Sequence, residues 1–127
     1  MASGKGTLNR VTLMGRLGAN PQAKTTPQGK LHVSFNLATV NIWKESDGKQ
    51  QDRTDWHRVV MWGRQAEIAK EYLKKGSYVY LEGRLQTRNY EDKGEKKFIT
   101  EVVSENFQML SKEGDVSTGG ETQEEYQ

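Results

Sequence analysis

Two runs of the sequence place flat aromatic rings and guanidinium groups in step with each other. In residues 54–63, TDWHRVVMWG, the alternate positions of an extended strand carry Trp56, Arg58, Val60 and Trp62, with Arg64 next in step. The intervening positions carry His57, Val59 and Met61, a set suited to a core or an interface. In residues 77–90, SYVYLEGRLQTRNY, the apolar positions Val79, Leu81 and Leu85 alternate with Tyr78, Tyr80, Arg84, Arg88 and Tyr90. Trp43 and Lys44 repeat the pairing where another strand gives way to a loop. A strand face turned only to water has no use for so much aromatic surface. Unpaired bases do. Each stacks on an aromatic plane for about 1–3 kcal/mol, while Arg and Lys follow the phosphates.

Plainer roles exist for the same residues. A strand tryptophan is more often core than ligand, and the tyrosines suit strands by propensity alone. Lys74 and Lys75 read first as charges that complement a helix C-terminus. His57, on the face without tryptophan, reads as a hydrogen-bonded core or interface histidine, and His32 as a solvated one. Lys93, Lys96 and Lys97 near a hairpin tip either touch a nucleic-acid strand or keep the tip soluble. Catalysis finds no support: there is no phosphate-cradling glycine loop, no HExxH and no His/Cys ligand spacing. Asp55 and His57 form an i, i+2 pair, more often chance than role. With no cysteine, a thiolate metal site and a cysteine nucleophile are both excluded. The expectation is a non-enzyme with no cofactor and no metal. The competing reading is another kind of binding module: a replication accessory, a binder of duplex or RNA, or a protein-interaction subunit.

Strands must position these rings. Val11, Leu13 and Leu17 recur at period two in residues 7–17, and Leu31, Val33, Phe35 and Leu37 in residues 31–39. Residues 18–30 carry both prolines and read as a long loop, and residues 44–53 as a polar loop with a turn at Asp47-Gly48. Residues 54–63 form the third strand. The spacing predicts a helix over 65–75, with Ala66, Ile68, Ala69, Tyr72 and Leu73 on one face and Gly76 as its stop. A fourth strand covers 77–90. After the turn EDKGE, a fifth covers 97–104 and extends toward Leu110. Three strands, a helix and two strands is the order of an all-β, five-stranded Greek-key barrel, the OB-fold. Hydrophobic residues make up only 33% of the chain, and a small barrel suits that, because one face of each strand fills its interior.

The 127 residues fit one domain, residues 1–110, and a tail, residues 111–127. The tail holds one lysine and five acidic residues, a net of −4, and has too little apolar surface to offset ordering, so it is expected to be flexible. The remainder holds 18 basic and 12 acidic residues, a net of +6, which favours a polyanion modestly. No apolar run is long enough to span a bilayer, and the N-terminal MASGKGTLNR has no apolar signal core. A soluble protein of a reducing compartment is the simplest reading.

The run TDWHRVVMWGRQAEIAKEYLKKGSYVYLEGRLQTRNY resembles, almost position for position, the signature stretch of the bacterial-type single-stranded DNA-binding proteins. NRVTLMGRLGANP, SFNLATVNIW and TEVVSENFQML resemble the same family's flanking strands, so the likeness covers roughly residues 7–110. It implies an OB-fold, a homotetramer, and sequence-tolerant protection of single-stranded DNA during replication, recombination and repair. It places Trp43, Trp56, Trp62 and Tyr90 at base-stacking positions. Trp62 stands where the family often has Phe, and Tyr90 where it often has Trp. It implies phosphate contacts for Arg58, Arg64, Arg84 and Arg88, to which the residue pattern adds Lys44 and Lys97, a subunit interface for His57, and a cytoplasmic location in a bacterial nucleoid or phage-infected cell. One departure stands out. The family's acidic tip ending in Ile-Pro-Phe, which recruits replication and repair proteins, is absent from this chain, which ends ETQEEYQ. Recruitment through that tip is therefore not expected, while DNA binding is.

Overall fold

The structure, a computed structural model, describes residues 4–110. The tail expectation for residues 111–127 lies outside the described residues. Six strands and one helix follow in the order β1 (Val11–Leu17), β2 (Gln22–Thr25), β3 (Leu31–Lys44), β4 (Gln50–Trp62), α1 (Gly63–Tyr72), β5 (Tyr78–Asp92) and β6 (Glu95–Met109). The sheet runs β1-β5-β6-β4-β3-β2, and a further β1–β3 pairing closes five of these strands into a barrel. The ladders are antiparallel except at β4–β6, where Val59 faces Val102 and Val60 faces Val103 in parallel.

The period-two residues do what their spacing requires. Leu17, Val33, Phe35, Leu37, Val59, Met61, Val79, Leu81 and Val102 meet in one core, and α1 adds Ala66, Ala69 and Leu73. Gly15 and Gly83 are required by space. A Cβ on Gly15 would strike the carbonyl of Ala38, where β1 meets β3, and one on Gly83 would strike the carbonyl of Val103. Gly83 sits beside a bulge: Glu82 pairs with Asn106 and Gly83 with Ser104, so Glu105 is extra. Gln65, at the start of α1, donates to the carbonyls of Ser104 and Glu105, both at 3.0 Å, and accepts from Ser104 Oγ at 2.7 Å. The helix is thereby pinned to the bulge.

Several boundaries differ from the sequence expectation, each for a physical reason. Residues 22–25 form a sixth, short strand inside the expected loop; all four are exposed, so no burial alternation marked them. Half of the polar segment 44–53 is strand, because the β3–β4 hairpin stays paired out to Lys44 opposite Gln50, with both faces in water. Only residues 45–49 turn, with Gly48 at a φ of 88°. The helix ends at Tyr72, not Lys75. Leu73 is drawn into the core, and the amides of Lys74 and Lys75 leave the helical ladder for Ser77 Oγ at 3.0 Å and Asn20 Oδ1 at 2.8 Å. Gly76, at a φ of 89°, serves the turn that follows rather than the helix end. Tyr72 is exposed and does not join the buried helix face.

Candidate nucleic-acid interface

β4 carries Trp56, Arg58, Val60 and Trp62 on the outer face of the barrel. Six residues of strand set the two rings about 20 Å apart. They are 57% and 42% exposed, so neither belongs to the core. The residues opposite them on β3 are small or polar: Ala38 beside Trp56, Asn36 beside Arg58, Ser34 beside Val60, and His32 beside Trp62. Val60 is a correction. It shares the tryptophan face, yet it is buried, as are its neighbours on that face, Ser34 and Val103.

Each ring rests on something. The six-membered ring of Trp56 lies over Gly18, and a Cβ on Gly18 would overlap its Cζ3 and Cη2 atoms. Trp62 has the His32 imidazole against it, with ring centroids 4.6 Å apart and planes tilted by 52°. His32 is therefore half-buried beside Trp62 rather than solvated, and burial first, then the Arg58 charge, lowers its pKa from the ordinary histidine value. Beside Trp62 opens a cleft of about 410 Å³, walled by Lys24, Thr25, Gln86, Arg88 and Glu101.

The charges of this face are organised by one carboxylate. Glu101 of β6 is buried to 3% exposure and accepts Arg58 Nε on Oε2 at 2.9 Å and Arg88 Nε on Oε1 at 2.8 Å. Burial alone would raise the Glu101 pKa. The hydrogen bonds of Arg88 and Arg58, with their charges, overcome that and hold it below the ordinary carboxylate value. Arg84 lies on the same side of β5, with Nε 3.7 Å from the bulge residue Glu105 and an Nη–H donated to Gln86 at 3.3 Å.

The other expected site residues lie apart. Arg64 does not continue the strand face. The chain has entered α1, where Arg64 pairs with Glu67 at 3.2 Å with both side chains largely exposed. Trp43 and Lys44 stand at the far end of the β3–β4 hairpin, the Trp43 indole N–H donating to Glu45 at 2.8 Å. Strand alternation puts Trp43 on the face of Leu37 and His57, opposite to that of Trp56 and Trp62. Tyr90 and Lys97 face each other across the β5–β6 hairpin, with Lys97 Nζ 3.5 Å from Asp92. His57 is half-buried, its Nε2 2.8 Å from Thr39 Oγ1, while Asp55 pairs with Arg53 at 2.9 Å, so these two form no catalytic pair. Tyr78 lies beneath the Arg16 guanidinium at 4.6 Å, and the Tyr80 hydroxyl donates to Glu82 at 2.6 Å. Both are occupied away from the platform. Among the described residues, no group of three His, Cys, Asp or Glu could hold a metal, and no helix is long and apolar enough to cross a membrane.

Sequence reasoning missed Glu101, His32, Gly18 and Gln65. Glu101 had a signal: it is the one acid in the otherwise apolar and hydroxyl run FITEVVS, in a chain whose preceding strands carry a surplus of arginine.

The sequence and fold have counterparts in known proteins. A profile of the Single-strand binding protein family matches residues 8–110. The chain belongs to that family. Its sequence is 49% identical over 117 residues to Single-stranded DNA-binding protein 1 of Chlorobaculum tepidum, covering 91% of this chain and 70% of the relative. It is 44% identical over 111 residues to Single-stranded DNA-binding protein 1 of Xylella fastidiosa, covering 86% and 82%. Among solved structures, it matches one described as "Plasmodium falciparum SSB complex with ssDNA" with a TM-score of 0.76 and 31% identity, over 86% of this chain and all of the other. A deletion mutant of the single-stranded DNA binding protein from Thermus aquaticus matches with a TM-score of 0.75 and 37% identity, over 84% of this chain and 52% of the other. Single-strand binding proteins are non-enzymatic, and the expectation of a non-enzyme rests on that membership. The barrel with one helix between its third and fourth barrel strands is the family fold.

Proposed function

We propose that this protein binds single-stranded DNA without sequence preference, by stacking bases on Trp56 and Trp62 and holding phosphates with the arginines between and beside them. The observation that carries this reading is the outer face of β4. It has two tryptophans about half exposed, each with a neighbour packed against its ring, on a strand whose inner face is core. Trp43 with Lys44 and Tyr90 with Lys97 extend the path along the two hairpins, and Arg64 of α1 and Arg84 of β5 add charge. Duplex bases are already stacked, so duplex binds far more weakly. The protein coats and protects strands opened in replication, recombination and repair, in the cytoplasm. It acts as a homotetramer. Support for assembly comes from β1, which has β3 beside it only at Arg16 and Leu17, and from the exposed apolar residues Leu8, Met14, Leu85 and Phe98. His57 lies near such an interface. Preference for DNA over RNA is supported by the names of the relatives, single-stranded DNA-binding proteins, and by the neighbour solved in complex with ssDNA.

A tryptophan-fluorescence titration with oligo(dT) and with duplex of equal length tests this. Saturable quenching by oligo(dT) and none by duplex is expected. No quenching by either means that the tryptophans face a protein partner instead. Light scattering reads the assembly, and a mass near four times that of one chain is expected.

A further inference from the structure

We propose that Glu101 is a positioning residue for DNA binding: its buried carboxylate fixes Arg58 and Arg88 by their Nε atoms, so that both guanidinium groups present their terminal amino groups as a two-pronged clamp for the phosphates beside Trp62. The inference rests on the single-strand reading above and adds to it a residue that does not itself meet the strand.

The geometry carries the argument. Each carboxylate oxygen serves a different arginine, Oε2 for Arg58 at 2.9 Å and Oε1 for Arg88 at 2.8 Å. Both are taken by Nε, the donor nearest the main chain. The four Nη atoms of the pair make no hydrogen bond to protein among the described residues. Exposure follows the same division: Glu101 is 3% exposed, and the arginine side chains are 34% and 45% exposed. A guanidinium is planar, so a fixed Nε fixes the direction of the Nη fork, and little freedom is left to lose when a phosphate arrives. The three residues come from three neighbouring strands: Arg58 from β4, Glu101 from β6 and Arg88 from β5. One carboxylate thus sets the spacing of two cations that no single strand could hold in register. It leaves the group with a net positive charge toward the strand. Glu101 and Arg88 also wall the cleft beside Trp62, so the clamp sits where a stacked base would carry its phosphate.

Two variants test this on the full chain, by stopped-flow tryptophan fluorescence with oligo(dT) and with thermal unfolding as a control. Glu101→Gln has one acceptor oxygen where two are needed, and its amide N–H faces the other Nε–H, so one arginine comes loose. Its added positive charge leaves association equal or faster. Dissociation is expected to be about tenfold faster, the effect of one misplaced charge-assisted hydrogen bond. Arg88→Lys keeps the charge and leaves Glu101 paired with Arg58, so folding is protected. A lysine head can serve Glu101 or a phosphate but not both in fixed geometry, so dissociation again quickens, and the slope of log affinity against log salt stays the same. Slower dissociation of Glu101→Gln would mean that the carboxylate only weakens the positive face, and the proposal falls. Unchanged dissociation in Arg88→Lys overturns it as well, whether or not Glu101→Gln folds. A wild type that shows no saturable quenching removes the single-strand reading itself, and the proposal with it.

Discussion

The platform on β4, β5 and β6 and the two hairpin arms that project from the barrel carry the same residue types in different states. On the platform every binding group has a support: Trp56 lies on Gly18, Trp62 against His32, and Arg58 and Arg88 on Glu101. On the arms, both faces of the strands are open to water. Trp43 and Tyr90 are bound only by neighbours as exposed as themselves. The comparison teaches that pre-organisation, rather than the count of aromatic residues, separates a fixed subsite from one that adapts to its ligand. In the proposed binding mode the platform would meet a strand in one geometry, while the arms would follow it around the barrel.

The hardest test of this contrast removes a supported ring. Trp56→Ala or Trp62→Ala should weaken oligo(dT) binding by about 1–3 kcal/mol in a fluorescence or anisotropy titration, with the fold intact. If Trp56→Ala unfolds the protein, the ring is structural and the contrast fails. Removing the support instead of the ring comes next. Gly18→Val should displace the Trp56 ring and weaken binding by about 1 kcal/mol or more, with a shift in tryptophan emission. A variant with wild-type affinity would show that the ring needs no prop. On the arms, Trp43→Ala and Tyr90→Ala should each weaken binding by only about 1 kcal/mol or less, since an unsupported ring gives back part of its stacking energy in ordering. Losses equal to those at Trp56 would erase the distinction. Arg64→Ala should have the smallest effect, reducing the salt slope by no more than about 0.7.

Acid probes the support beneath the platform. The pKa of Glu101 is lower in the folded than in the unfolded chain, so the unfolded chain binds the proton more readily. Its contribution to stability is therefore complete above the ordinary value of 4.5 and declines as the pH falls below it toward the folded value. Urea unfolding at pH 7, 4.5 and 3 should show this decline, and Glu101→Gln should flatten it. His32 works in the same direction one step higher. Its lowered pKa favours the folded state above 6.5 and less so below.

The barrel was legible in the sequence wherever one strand face is buried. Val33, Phe35 and Leu37, or Val79 and Leu81, alternate with polar residues because only one side of the strand meets the core. The same rule explains what was not legible. Residues 44 and 50–53 belong to an antiparallel ladder whose two faces are both wet, so pairing left no mark in their hydropathy, and they read as a loop. The short strand at Gln22–Thr25 hid for the same reason. In the site, strand parity found Trp56, Arg58 and Trp62 because side-chain direction is a local property. Glu101, His32 and Gly18 act through partners 43, 30 and 38 positions away in the chain. Their roles exist only after closure. Arg64 was misplaced because parity was carried one step past the point where the strand becomes a helix.

The β4–β6 junction has a last consequence. The barrel is in effect two long hairpins, β3–β4 and β5–β6, zipped side by side through just two residue pairs, Val59 with Val102 and Val60 with Val103. That short seam, like the β1–β3 junction at Arg16 and Leu17, is where the barrel has fewest rungs to lose. The ionic bridge from Arg58 through Glu101 to Arg88 crosses it, and so does any polymer seated on Trp62 and Arg88. A bound strand is then a splint as well as a cargo. It stabilises the closed form by mass action and slows amide exchange at the four seam valines, which makes the stiffness of the barrel itself a report on its occupancy.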